Sequence, residues 1–197
     1  LVDKHKCDVI ICDDGLQHYA LNRDIEIVVM DGQRRCGNKL LLPAGPLREG
    51  LWRLDSVDFL VLNGGTVTNG EYLMSLEAGQ LINVKHPNKS LSINSLSSPV
   101  TAIAGIGNPQ RFFTLLEKKK VKLKAQISFI DHHVFSENDI PSSTVIMTEK
   151  DAVKCTQIAH DDCWYLPVSA SLTSQFESQL LQKLKQVAAD KKQSKRK

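Results

Sequence analysis

Short apolar runs, each closed by polar turn-forming residues, recur along the chain. Val9-Ile10-Ile11 leads into Cys12-Asp13-Asp14-Gly15, and residues 25–30 lead into Asp31-Gly32. Residues 57–62 lead into Asn63-Gly64-Gly65, and residues 100–104 into Gly105-Ile106-Gly107-Asn108-Pro109. Continuous runs of this length, rich in β-branched residues, predict parallel strands buried on both faces. Further strands are expected at residues 126–130, 145–147 and 164–168. Helical spacing shows in two places. Pro109 opens a segment in which Phe112, Phe113, Leu115 and Leu116 make one apolar face before Lys118-Lys119-Lys120. Phe176, Leu180, Leu181, Leu184, Val187 and Ala188 repeat the pattern after Ser174, the expected cap. Residues 71–84 read as a hairpin turning at Glu77-Ala78-Gly79, and the Asn-, Ser- and Pro-rich residues 85–99 as a linker.

This pattern predicts an α/β fold: a mostly parallel sheet with flanking helices. The expected division falls near residue 98, with residues 1–98 and 99–190 as two portions and residues 191–197 as a basic, disordered tail. Composition narrows the function classes. The net charge of +3 owes much to that tail, so no basic surface for nucleic acid is expected. The five cysteines are scattered, with no C-x-x-C pair, which argues against a zinc site or a disulfide framework. No run of about eighteen apolar residues is present to span a bilayer. The chain opens at Leu1 and meets a core-type run within ten residues, so an N-terminal portion is expected to be missing.

The polar ends of parallel strands are where open α/β sheets gather ligands. The segment ending in Asp13-Asp14-Gly15-Leu16-Gln17-His18 has the Walker B arrangement, in which a strand-end carboxylate holds Mg²⁺ beside nucleotide phosphates. An Asp-Gly turn closing a strand is the plainer alternative. The partner motif, G-x-x-x-x-G-K-[ST], does not occur in this sequence. A rigid loop at residues 37–49 carries Pro43 and Pro46 and ends in Arg48-Glu49, a pair suited to phosphate oxygens and a metal-bound water, or to a surface ion pair. Asp131-His132-His133 follows another strand; a carboxylate beside an imidazole can fix its tautomer or tune a neighbouring base. In Met147-Thr148-Glu149-Lys150-Asp151, Thr148 and Asp151 suit a capping box, with a nucleotide contact by Lys150 or Asp151 as the minor reading.

The ordered series DDGLQHYALNRDIEIVVMDG, GNKLLLPAGPLRE, AGIGNPQRFF, FIDHHVF and MTEKDAVKC resembles the tetraacyldisaccharide 4′-kinase family, the lipid A 4′-kinases of Gram-negative bacteria. The resemblance implies a P-loop NTPase-like fold and ATP- and Mg²⁺-dependent transfer of the γ-phosphate. The acceptor would be the 4′-hydroxyl of a tetraacylated disaccharide 1-phosphate, at the cytoplasmic face of the inner membrane, with the enzyme a peripheral monomer. It implies Asp14 as the metal ligand with Asp13 beside it, Gln17 and His18 completing that motif, and Arg48 and Glu49 beside the phosphates and Mg²⁺. His132, with Asp131, resembles the histidine that raises the basicity of a catalytic aspartate. That aspartate and the phosphate loop have no counterpart in this sequence, so the chain alone is expected to be inactive. Two alternatives stand beside this. Asp131-His132-His133 also resembles the DHH phosphoesterases, which hold two metal ions on several carboxylates. A folded but non-catalytic piece is the other.

Overall fold

The structure, a computed structural model, describes residues 7–96 and 98–194. The chain forms two compact units: residues 1–75 with 171–197, and residues 76–170. The division differs from the expected one near residue 98.

The first unit is built on a four-stranded sheet of order β1-β2-β3-β10, with β1 at Ile27–Asp31, β2 at Phe59–Asn63, β3 at Glu71–Ala78 and β10 at Val168–Leu172. β1, β2 and β3 run parallel, in the register Ile27 to Phe59 and Leu60 to Glu71. The strand ends of β1 and β2 touch: a Cβ on Gly32 would lie 1.8 Å from the Gly64 carbonyl oxygen, and Gly65 sits at φ +74°. Only glycine allows this backbone approach. A long helix, α3 at Ser174–Ser194, supplies Phe176 to a cluster with Phe59 and Tyr72, whose ring centroids are 5.3–5.7 Å apart. Thr173, not Ser174, caps this helix, its hydroxyl accepting the Phe176 N–H at 3.3 Å. Residues 191–194, expected to be tail, are its last turn; residues 195–197 lie outside the described residues.

Val9-Ile10-Ile11 departs from expectation. The run forms no strand and is exposed, Ile11 to 92%. A continuous apolar run becomes a buried strand only when a neighbour completes its hydrogen-bond ladder; among the described residues none pairs with it.

The second unit carries a six-stranded sheet of order β5-β4-β9-β8-β6-β7. Its members are β4 (Leu81–Asn83), β5 (Ser90–Leu91), β6 (Val100–Ala104), β7 (Leu123–Ser128), β8 (Val145–Thr148) and β9 (Cys163–Leu166). β7, β6, β8 and β9 are mutually parallel; β4 joins β9 and β5 antiparallel. Every residue of β6 and β8 is buried, as their unbroken apolar runs require. One face packs Val100, Ala102, Ala104 and Ile146 against Phe112, Phe113 and Leu116 of α1 (Pro109–Lys118). The other packs Ile103, Val145 and Met147 against Ala152 and Cys155 of α2 (Glu149–Cys155). The unit is therefore a three-layer sandwich, and the α/β expectation holds in both units. The hairpin expected at residues 71–84 does not form: β3 and β4 belong to different sheets, because β3 pairs in parallel with β2 and Gly79 bonds the Pro167 carbonyl. Residues 85–99 are not a free linker but carry β5 and a short 3-10 turn, Ile93–Ser95, of the second unit.

Candidate active site

In the first unit, residues 37–49 fold on themselves. Asn38 donates to the Ala44 carbonyl at 2.8 Å and accepts the Leu40 N–H, while Leu42 and Leu47 N–H groups bond to the Leu47 and Leu40 carbonyls. The Leu42–Pro43 peptide is cis. Gly45 sits where a Cβ would fall 2.2 Å from Asn38 Oδ1 and 2.3 Å from the Leu40 oxygen. The loop is thus closed by its own backbone, and it delivers Arg48 and Glu49 at its end.

These two residues meet the Asp-Asp segment. Arg48 Nη1 lies 3.2 Å from Asp14 Oδ1 and 3.4 Å from Gln17 Oε1. Gln17 in turn donates its amide to Glu49 Oε2 at 2.7 Å, and the Tyr19 hydroxyl donates to Glu49 Oε1. Glu49 is largely covered, with a side-chain exposure of 11%, whereas Asp14 is 75% exposed. Hydrogen bonds from Tyr19 and then Gln17 hold the Glu49 carboxyl below the usual glutamate range, and the same contact raises the Tyr19 phenol. Glu49 is ionised at neutral pH, and Asp14 presents its oxygens to solvent. Asp14 stands at φ +48°, in the left-handed region that Asp tolerates better than most residues. Asp13 and His18 lie on the same exposed turn; the His18 N–H bonds the Gly15 carbonyl.

Four residues of this network escaped the sequence reading. Arg53 is buried and bonds Glu26 at 2.6 Å, with Glu49 at 3.6 Å, while Arg23 reaches the Gly15 and Leu16 carbonyls at 2.7 and 2.8 Å. Tyr19 and Glu26 complete the set. The Glu49/Arg53 spacing of four and the Arg23/Glu26 spacing of three, paired at 3.1 Å, were the local signals available.

In the second unit, Asp131 and His132 follow β7. Asp131 Oδ1 accepts the His132 N–H at 3.0 Å and Lys150 Nζ at 3.1 Å, and Oδ2 lies 3.8 Å from His132 Nε2. Lys150, first among several causes, holds the Asp131 carboxyl below its ordinary value. His132 is 80% exposed at φ +62°. His133 is anchored separately, 3.3 Å from Asp139 and stacked on Phe129 at 4.5 Å. Thr148 caps α2 by accepting the Asp151 N–H at 3.2 Å, as its spacing predicted, and Asp151 is fully buried, which leaves that residue no room for a nucleotide contact.

The tetraacyldisaccharide-1-P 4′-kinase family model matches residues 1–185. The chain belongs to that family. It is 61% identical over 187 residues to the tetraacyldisaccharide 4′-kinase of Pseudoalteromonas atlantica, covering 95% of this chain and 61% of that protein. The kinase of Shewanella frigidimarina is 54% identical over 189 residues, covering 94% and 56%. A crystal structure of "apo" form LpxK from Aquifex aeolicus in complex with ATP superposes with a TM-score of 0.72 at 27% identity, over 94% of this chain and 59% of that one. The chain thus spans about three-fifths of the length of these relatives. The phosphoesterase alternative is set aside, because the family match opposes it.

Proposed function

We propose that this chain supplies the metal- and phosphate-facing residues of a tetraacyldisaccharide 4′-kinase, which transfers the γ-phosphate of ATP to the 4′-hydroxyl of a tetraacyldisaccharide 1-phosphate. The observation that carries this is the continuous network from Asp14 through Arg48 and Gln17 to Glu49, all within residues 1–185 that the family model matches.

The donor set suits Mg²⁺, a hard cation that takes oxygen ligands and keeps several waters. Asp14 would hold it directly, and the ionised, hydrogen-bonded Glu49 would orient one of its waters, with Asp13 adding negative charge beside them. When bound, the ion supplies neutralisation of phosphate charge. Arg48, 59% exposed, has N–H groups free to face phosphate oxygens once Asp14 turns to the metal. Gln17 keeps the Arg48 and Glu49 side chains in register, and His18 borders the same turn. In the other unit, Asp131 holds His132 so that its imidazole can draw on the proton of an acidic group placed to accept the 4′-hydroxyl proton. Among the described residues no helix is long and apolar enough to cross a membrane. An acylated substrate suits an enzyme that acts as a peripheral monomer at the cytoplasmic face of the inner membrane.

The test is a chimera that joins this chain to the part of the Pseudoalteromonas kinase that it does not cover. Mg²⁺-dependent transfer of labelled phosphate to the disaccharide is expected from the chimera and not from the chain alone. A folded chimera that binds ATP yet transfers nothing would sink the reading.

A further inference from the structure

The sheet of the second unit reverses its winding at β6: β7 lies on one side of that strand and β8 on the other. Loops that follow β6 and β8 leave a crevice at such a reversal. Here one motif, Thr148-Glu149-Lys150-Asp151, braces the neighbouring loops at two points. Asp151 takes the Gly105 N–H at 2.9 Å and the Thr148 hydroxyl at 2.7 Å, with Lys154 Nζ 3.2 Å away to balance its charge. That brace joins the β6 loop to the start of α2 and is fully buried.

The second brace is Lys150, and it is of a different kind. Its side chain is 49% exposed, where an ion pair adds little to stability. What it does add is geometric. Lys150 Nζ and the His132 N–H converge on the same oxygen, Asp131 Oδ1, at 3.1 and 3.0 Å. With Oδ1 held, Oδ2 is left 3.8 Å from His132 Nε2. His132 occupies the left-handed region at φ +62°, which a non-glycine residue keeps only when its surroundings impose it. Here the turn closed by the His133 N–H on the Ile130 carbonyl, at 3.1 Å, imposes it, and the bond from the His132 N–H to Asp131 is a second tie.

We infer that Lys150 is a positioning residue: by pinning the Asp131 carboxylate it reinforces the turn's hold on the His132 backbone and sets where the imidazole stands. The inference deepens the kinase reading of His132 and rests on it. Lys150 acts through Asp131.

The His132 amide reports the arrangement directly by NMR on this chain, since its shift follows Asp131 protonation and its exchange follows the hydrogen bond. In Lys150→Met the acid midpoint of that shift is expected to rise toward the ordinary carboxylate range, with amide exchange several-fold faster and an altered HN–Hα coupling. Lys150→Arg retains the wild-type values. In Asp131→Asn the acid transition disappears, and adding Lys150→Met changes nothing more. Leu116, fully buried against the sheet away from this turn, keeps its methyl resonances in every variant and so monitors the fold. An unchanged His132 midpoint and exchange rate in Lys150→Met overturns the inference. In the chimeric kinase, Lys150→Met is expected to lower kcat with KM little changed, and Lys150→Arg to restore it. Unchanged kcat in Lys150→Met beside a slowed His132→Ala also overturns it. A His132→Ala chimera with normal turnover instead overturns the kinase reading of His132, and the NMR comparison alone then decides whether Lys150 holds it.

Discussion

Glu71, the first residue of β3, anchors the turn that leads into the Arg48-Glu49 loop. Its Oε1 and Oε2 receive Arg35 Nη1 and Nη2 at 2.8 and 3.0 Å, and Oε2 also accepts the Thr68 N–H at 2.7 Å. The Arg35 fork, ahead of the Thr68 contacts, holds the carboxyl at about 2, against an ordinary 4.5. A depressed carboxyl pKa stabilises the fold above the unfolded value and ceases to do so as pH falls toward the folded one. A shift of about 2.5 units corresponds to about 3.4 kcal/mol at neutral pH before solvent screening. Glu71 is 10% exposed but Arg35 is 39% exposed, so we halve that figure; Glu71→Gln should cost about 1.5 kcal/mol at pH 7. Linkage leaves about two-fifths of the effect at pH 3, or about 0.6 kcal/mol. Urea unfolding of both proteins at the two pH values measures this, with equal slopes expected because the buried surface is unchanged. A cost that is the same at pH 3 and pH 7, or that stays below about 0.3 kcal/mol throughout, would refute the argument.

Other outcomes follow from single contacts. Asp14→Asn in the chimeric kinase should cut phosphate transfer by about a hundredfold or more while leaving the melting curve in place, since the side chain is exposed; unaltered turnover across a Mg²⁺ series would remove it from the metal site. Leu116, fully buried under the second unit's sheet, should cost about 2–4 kcal/mol on replacement by Ala, read by denaturant titration. Burial pushes the Cys155 thiol up to about 12, so in the folded protein at pH 8 it should resist iodoacetamide while the exposed Cys7 and Cys12 react. Mass spectrometry of the labelled peptides distinguishes them.

The elements that sequence made legible are those whose burial is set by their own pattern. β6 and β8 are apolar at almost every position because helices cover both faces, and α1 announces itself through Pro109 and its apolar face. Val9-Ile10-Ile11 carries the same signature, yet whether such a run is buried depends on a partner strand, and partner choice is not encoded locally. The pairing of β3 with β2 was illegible for the same reason, since a parallel neighbour lies across a long connection. At the site, Asp14, Gln17, Arg48 and Glu49 were readable because their order along the chain is distinctive. Tyr19 was not: it earns its place through a contact with Glu49, thirty positions on, that its own surroundings in sequence do not signal, and Arg53 offered only its spacing of four from Glu49. Lys150 was visible as part of a motif, but its attachment to Asp131 spans nineteen positions and only the fold shows it.

The first unit is assembled from both ends of the chain, and this fixes an order of events during synthesis. Residues 76–170 are contiguous and can close their sheet as soon as they leave the ribosome. Phe59 and Tyr72, made earlier, must wait for Phe176, which is translated more than a hundred residues after Tyr72. Until then their rings remain open to water, so the unit that carries Asp14 and Arg48 is the last to mature. A premature stop before α3 would thus spare the second unit and abolish the first.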